Sequence, residues 1–194
     1  MIPIRLAILA SGSGTNAENI IRFFSTDKRV EIGLIISNKP DAQVHQRAKD
    51  LGIPSFTYAK DILNDGKTMA QLLRNERVDF IVLAGYLAKV PAELIFAYPK
   101  RILNIHPALL PKFGGKGMYG NHVHQAVVDA KEKESGITIH LVNENYDEGS
   151  IVFQAKCPVL ADDTADDVAS RVHELEYRHY PEVIGRWIEK EFNW

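Results

Sequence analysis

Cysteine is almost absent from this 194-residue chain. Cys157 stands alone, which excludes an internal disulfide and a multi-cysteine zinc site and suits a reducing compartment, the cytoplasm. An excess of one charge is lacking too. Lys and Arg number 23 against 25 Asp and Glu, a net charge of -2, so no global field holds a nucleic-acid backbone or an anionic membrane, and neither is expected as a partner. A local site for a small anion stays open. Long hydrophobic runs are missing as well: MIPIRLAILASGSG is interrupted at Gly12 and Gly14 before it reaches membrane-spanning length, and it reads as a folded strand, not as a signal peptide or anchor. Repeats, low-complexity tracts and linkers are also lacking, and the length predicts a single domain over residues 1-194 with one substrate cleft.

What is present is an alternation of apolar runs and helical patterns. Ile4 to Ala10 is a compact apolar run, followed by SGSGTN and then AENIIRFF, giving strand, glycine turn and helix. Val30 to Ser37 predicts a second buried strand, Ala42 to Leu51 a helix, Ser55 to Tyr58 a short strand, and Lys67 to Arg77 a helix. DFIVLAG, from Asp79 to Gly85, predicts a strand buried on both faces. Pro91 to Ala97 gives a short helix and Arg101 to Ile105 another strand. Beyond a long loop, Val123 to Ala130 is helical. GITIHLV alternates, with Thr138 and His140 on one face and Ile137, Ile139 and Leu141 on the other, and IVFQAKCPV runs back after the polar turn NENYDEGS. Thr164 to Phe192 is one helix or two broken near Pro181, capped by Asp163 or Thr164, with Val168, Val172, Leu175 and Ile184 as its core stripe. The pattern predicts an α/β fold with a mostly parallel sheet, helices on both sides and an antiparallel C-terminal part. Ligands of such sheets bind beyond the carboxyl ends of the strands, where Gly12, Gly85 and His106 fall.

The glycine turn suits a phosphate. Gly12 and Gly14 let the backbone approach an anion, Ser13, Thr15 and Asn16 add donors, and the following helix presents its N-terminus. The spacing also satisfies the loose dinucleotide pattern with Ala17 as its third small residue. That reading needs a carboxylate at the end of the second strand, where this chain has ISNKP, so a nicotinamide cofactor is disfavoured. The structural alternative is a plain tight turn before a helix.

RILNIHPALLP places Asn104 and His106 two residues apart at a strand end. One is a fixed amide donor and the other a group that gains or loses a proton near neutral pH, the equipment for a carbonyl under attack. A capping asparagine and a core histidine are the bland alternatives. No Ser or Cys nucleophile has an evident elbow, so direct transfer between two bound substrates is the simpler scheme. His122 and His124 diverge on the predicted helix edge and lack a third ligand, so no metal is expected. Asp147 in NYDEGS can orient His106 and favour its protonated form, with Glu144 and Glu148 as competitors for that role.

GSGTN, LAGY, RILNIHPALLP, and the pairing of ESGITIHLV with YDEGSIVFQAKCPV resemble the phosphoribosylglycinamide formyltransferase family, from Ile4 through the C-terminal helix. The resemblance implies a formyltransferase-like, Rossmann-type three-layer sandwich. It implies transfer of a formyl group from 10-formyltetrahydrofolate to the amine of 5-phosphoribosylglycinamide in purine biosynthesis, with no metal and no covalent enzyme intermediate. It assigns catalysis to Asn104, His106 and Asp147. Phosphate and ribose fall to Gly12, Ser13, Gly14, Thr15, Asn16, His173 and Glu176. The folate pocket falls to Leu83, Gly85, Leu87, Ala88, Lys89, Val90, Asn143 and Asp147. By the same resemblance residues 1-100 form a phosphoribosyl-binding half and residues 101-194 a catalytic and folate-binding half, in a monomer or homodimer.

Three departures stand out. Ala88 occupies a position where relatives carry arginine, with Lys89 beside it; His173 stands where some relatives have lysine; and KFGGKGMYGNHVH is long and glycine-rich, either a mobile lid or a surface insertion with Met118 and Tyr119 packed down. Lys112 and Lys116 either add a positive field for the substrates or are ordinary solvated lysines. The rival functions are another 10-formyltetrahydrofolate-dependent formyltransferase or hydrolase, and a non-catalytic nucleotide-binding module. Trp187 and Trp194 either cover the core or meet another chain.

Overall fold

The structure is a computed structural model that describes residues 2–193. It divides after Leu103 into two compact units. In the first, the strands are β1 (Ile4–Leu9), β2 (Val30–Ser37), β3 (Ser55–Thr57) and β4 (Phe80–Leu83), in the order β3-β2-β1-β4. All three pairings are parallel, aligning Leu9 with Ile36 and with Leu83, and Ile35 with Ser55. Parallel strands are covered on both faces, which is why Leu6, Ile8, Leu34, Ile35, Ile36 and Ile81 are all fully buried. Each such side chain contributes about 1.5–3 kcal/mol of burial free energy. The helices of this unit are α1 (Thr15–Phe24), α2 (Val44–Asp50), α3 (Lys60–Asn64), α4 (Gly66–Asn75) and α5 (Ala92–Ala97). In α1 the buried residues Ala17, Ile20, Ile21 and Phe24 recur at helical spacing, so one stripe faces the core. Asp65 starts α4 by accepting hydrogen bonds from the Lys67 and Thr68 amides.

β5 (Ile102–His106) contains the division between the units. The second unit continues with α6 (Asn121–Asp129), β6 (Glu134–Leu141), β7 (Ile151–Pro158) and α7 (Ala165–Phe192). β6 and β7 are antiparallel, with Ile137 opposite Ala155 and His140 opposite Ile151. α7 packs on α6, β6 and β7, and its Val168, Val172, Tyr180, Ile184 and Ile188 are all fully buried. Parallel strands interleaved with helices, then an antiparallel pair, match the expected α/β class.

Some details differ from the pattern reading, and others settle choices it left open. α3 was not anticipated, because five residues are too few to display a helical period. β6 begins at Glu134 rather than at Gly136. α7 is one helix of 28 residues with Pro181 inside it; Pro181 is buried, and the packing of this long helix on three other elements offsets the missing hydrogen bond. Its start resolves the capping choice in favour of Thr164, whose hydroxyl accepts the Asp167 amide while the Asp167 carboxylate accepts the Thr164 amide. Lys190 sits 4.6 Å over the Trp187 ring. Trp194 lies outside the described residues.

Candidate active site

β5 alternates, so Asn104 and His106 project to the same side, with Asn104 half-buried and His106 buried. Burial of a polar ring demands partners, and the loop after the strand supplies one. Phe113 adopts a left-handed backbone at φ 56°, a conformation costly for a bulky residue, and its carbonyl lies 2.7 Å from His106 Nε2. A carbonyl only accepts, so Nε2 carries the hydrogen and Nδ1 is the nitrogen left to bind or release a proton. Nδ1 faces Asp147 Oδ2 at 3.5 Å.

Asp147 is itself left-handed, at φ 58°, which a short polar side chain tolerates better than a branched one. The Gly115 amide donates to its Oδ2 at 2.9 Å. Its Oδ1 stands 3.5 Å from both Asn104 Nδ2 and His140 Nε2. One carboxylate therefore faces two imidazoles, a backbone amide and a side-chain amide. Burial pushes the Asp147 carboxyl up, but the His106 imidazole and the Gly115 amide act against it, and the group is held below the ordinary carboxylate value. For His106 the balance runs the other way: burial pushes the imidazole below its ordinary value, and Asp147 and the Phe113 carbonyl offset only part of that. The choice among the three carboxylates of the turn falls to Asp147, because Glu144 is exposed and Glu148 accepts the Asn145 side-chain amide at 2.8 Å.

The chain beyond His106 is pinned by one hydroxyl. Thr138, fully buried on β6, donates to the Ala108 carbonyl at 2.6 Å and accepts from the Leu110 amide at 3.0 Å and from Gln154 Nε2 at 2.9 Å. The face of β6 that carries Thr138 and His140 is thus buried against this loop, not solvated. Two glycines admit close approaches. A Cβ at Gly114 would lie 3.3 Å from the Asp147 Cβ and collide with Leu110, and one at Gly149 would fall on the Leu141 carbonyl oxygen.

His173 and Glu176 also meet in this unit. Nδ1 of His173 is 2.8 Å from the carboxylate of buried Glu176, and that hydrogen bond pulls His173 above its ordinary value. A half-exposed imidazole that favours its charged form is suited to an anion. On α6, His122 is exposed beside Tyr119 while His124 is buried with Nδ1 lacking a hydrogen-bond partner, so the two diverge. Tyr119 is 47% exposed and is not packed down. Lys112 pairs with Glu132 at 2.7 Å, which commits it locally, and Lys116 is exposed.

The remaining candidates belong to the first unit, except Asn143, whose side chain caps its own turn by accepting the Asn145 amide. Gly12, Ser13, Gly14, Thr15 and Asn16 connect β1 to α1. The carbonyls of Gly12, Ser13 and Gly14 accept from the Val44 amide, Arg47 Nε and the Glu18 amide, so three of the turn's oxygens are committed to protein donors. Arg47 also pairs with Glu18. Gly14 is left-handed at φ 76°, and a Cβ there would lie 2.8 Å from Val44 Cα. The segment at the end of β4 is bonded to the chain after β1: Ser11 donates its amide to Gly85 at 3.0 Å, and the Leu87 amide donates to Ser11 Oγ at 2.8 Å. Leu83 and Val90 are buried, Ala88 is half-buried, and Gly85, Leu87 and Lys89 are exposed.

Sequence reasoning did not single out His140, the Phe113 carbonyl or the Gly115 amide. The alternation of GITIHLV carried a signal for His140. A backbone carbonyl or amide carries none.

Comparison with known proteins bears on this arrangement. The formyl transferase family model matches residues 4–184. The chain is 44% identical over 196 residues to the chloroplastic phosphoribosylglycinamide formyltransferase of Arabidopsis thaliana, covering 98% of this chain and 67% of that protein. The corresponding Vigna unguiculata protein is 40% identical, and the chain spans 62% of its length. The phosphoribosylglycinamide formyltransferase of Haemophilus influenzae is 39% identical, covering 94% of this chain and 86% of that one. The crystal structure of phosphoribosylglycinamide formyltransferase from Bacillus halodurans superposes with a TM-score of 0.86 at 36% identity, covering 96% of each chain. A histidine–asparagine–carboxylate cluster on an α/β frame, with these relatives, makes the chain a member of the formyl transferase family, among the phosphoribosylglycinamide formyltransferases.

Proposed function

We propose that the chain transfers the formyl group of 10-formyltetrahydrofolate directly to the amine of 5-phosphoribosylglycinamide in purine biosynthesis; its relatives are named for formyl transfer to phosphoribosylglycinamide. The observation that carries this reading is the cluster of Asn104, His106 and Asp147, three groups suited to an acyl carbon that becomes tetrahedral. As the amine attacks the formyl carbonyl, a new C–N bond forms and the carbonyl electrons move onto oxygen. Asn104 Nδ2 donates to that oxyanion. His106 in its protonated form adds a positive charge beside it, with Asp147 favouring that form against the opposing effect of burial. The proton released by the amine moves through water near Asp147 to the folate nitrogen as the C–N bond to tetrahydrofolate breaks. No metal and no covalent enzyme intermediate takes part in this scheme.

Residues 1-100 supply the phosphoribosyl half of this reading and residues 101-194 the catalytic half. The Gly12 to Asn16 turn takes the phosphate, since three of its carbonyls are already bonded elsewhere, and His173 and Glu176 serve the phosphate and ribose. The segment from Leu83 to Val90, with Asn143 and Asp147, takes the pterin, and Ala88 contributes no cation there. Among the described residues no helix is long and apolar enough to cross a membrane. A cytoplasmic monomer or homodimer is part of the same proposal, supported by a single buried and unpaired cysteine.

The test is the ultraviolet absorbance change on mixing the protein with 10-formyltetrahydrofolate, with and without the amine, with product identified by mass spectrometry. Turnover only with the amine is expected. Turnover without it would mean a hydrolase, and none in either mixture a binding module. His106→Ala should remove most turnover while leaving phosphoribosylglycinamide affinity largely intact; an unchanged rate would remove His106 from the catalytic set.

A further inference from the structure

A second imidazole stands beside the catalytic cluster, and its bonds determine which nitrogen holds the hydrogen. His140 lies near the end of β6 with its side chain 3% exposed. Its Nδ1 is 2.9 Å from the Leu141 carbonyl, which can only accept, so Nδ1 carries the hydrogen. In the neutral ring Nε2 is then bare. It faces Asn104 Nδ2 at 3.0 Å, nearer than Asp147 Oδ1 at 3.5 Å, and accepts one of the two amide hydrogens. The other amide hydrogen is aimed at Asp147 Oδ1 at 3.5 Å, the outer limit of a hydrogen bond, and is weakly held.

These partners permit one orientation of the amide. Rotating the Asn104 side chain by half a turn would set its oxygen against a bare imidazole nitrogen and a carboxylate oxygen, with no hydrogen to share. The Leu141 carbonyl that fixes the tautomer is itself held, because Gly149 packs directly on it and the Leu141 amide donates to the Ser150 carbonyl at 2.9 Å.

We infer that His140 is a positioning residue: it holds one N–H of Asn104 so that the other, only loosely engaged by Asp147, is kept in place and available to the formyl oxygen as charge develops. The inference rests on the reading of Asn104 as the oxyanion donor. A donor already aimed needs no reorganisation at the moment of reaction, whereas an amide free to rotate presents an oxygen part of the time and repels the charge it should stabilise.

Two substitutions in the full chain separate this role from simple packing. His140→Leu fills a similar volume and accepts nothing, while His140→Gln keeps an acceptor near the position of Nε2. Removing an oxyanion donor outright costs about 10²–10³ in kcat, so losing its alignment should cost about tenfold to a hundredfold in the Leu variant, with both KM values unmoved and most of the loss recovered by Gln. Rates are taken per folded molecule, with the folded fraction read from thermal unfolding. Equal losses in the two variants, or a wild-type kcat in the Leu variant, would overturn the inference. Nitrogen-15 NMR of the His140 ring in the unliganded protein near neutral pH reports the tautomer without turnover. A hydrogen on Nδ1 with bare Nε2 supports the inference, and a hydrogen on Nε2 overturns it whether or not the protein transfers formyl groups. A wild type with no transfer activity removes the reaction itself, an outcome distinct from equal losses in an active background.

Discussion

Gly149→Ala tests the packing behind the catalytic turn. Any Cβ at this position lands on the Leu141 carbonyl oxygen, far inside van der Waals contact, and a third neighbour, His140 Nδ1, lies 3.3 Å away. Neither backbone atom is the free end of a flexible side chain, so the turn and the end of β6 must separate. Separation forfeits the bond from the Leu141 amide to Ser150, worth about 0.5–1.5 kcal/mol. Forcing a methyl group into a packed interior adds about 1–3 kcal/mol. The sum is about 1.5–4.5 kcal/mol, and for a chain of this size each kcal/mol lowers Tm by about 2–4 °C, which gives a fall of about 3–18 °C. Thermal unfolding by circular dichroism measures it, with Gly85→Ala as comparator. Gly85 has φ +72° but nothing within 4 Å of its added Cβ, so only the backbone cost of about 1–2 kcal/mol applies there. A Gly149→Ala Tm within about 2 °C of wild type, or a larger fall for Gly85→Ala, would refute the close approach.

Gly14→Ala meets Val44 while occupying a left-handed backbone, and it should raise KM for the phosphorylated amine much more than KM for the folate; equal rises would indicate general misfolding. Stability should also depend on pH with two opposing signs. Burial holds His106 and His124 below the ordinary 6.5, so just below that pH the unfolded chain binds more protons than the folded one, and stability falls as pH falls. His173, drawn up by Glu176, contributes stability that is complete below 6.5 and is lost as pH rises through its folded value. Urea midpoints in wild type and His173→Gln, compared at about pH 5.5 and about pH 7, should show a steeper fall toward acid in the variant. A shallower fall in the variant would reverse the assigned sign.

Much of this architecture was legible because buried parallel strands write themselves as unbroken apolar runs, and Val30 to Ser37 is the clearest example. Asn104 and His106 were legible from a period of two at a strand end. Asp147 was only one of three carboxylates in its turn, since what separates it from Glu144 and Glu148 is a left-handed backbone that points it inward, and composition does not encode φ. The partners of His106 and Asp147 in the loop are a carbonyl and an amide of the main chain, which every residue possesses. Pro181 left one helix or two open, because its local preference for a break is real; the packing of α7 settles it as one. His140 lay in plain view as one face of an alternating strand, but its role depends on which nitrogen bears hydrogen, a property fixed by Leu141 and Asn104 together.

Thr138 gives the loop after His106 an unusual relation to temperature. Contacts made by apolar burial weaken on cooling, because the driving force of the hydrophobic effect fades, whereas three directional bonds to one hydroxyl do not depend on it. The Ile and Leu packing around the strands therefore contributes less in the cold, while the three bonds that tie Ala108, Leu110 and Gln154 to this hydroxyl are not weakened by that loss. The loop that follows His106 is thus held in part by bonds that cooling does not weaken.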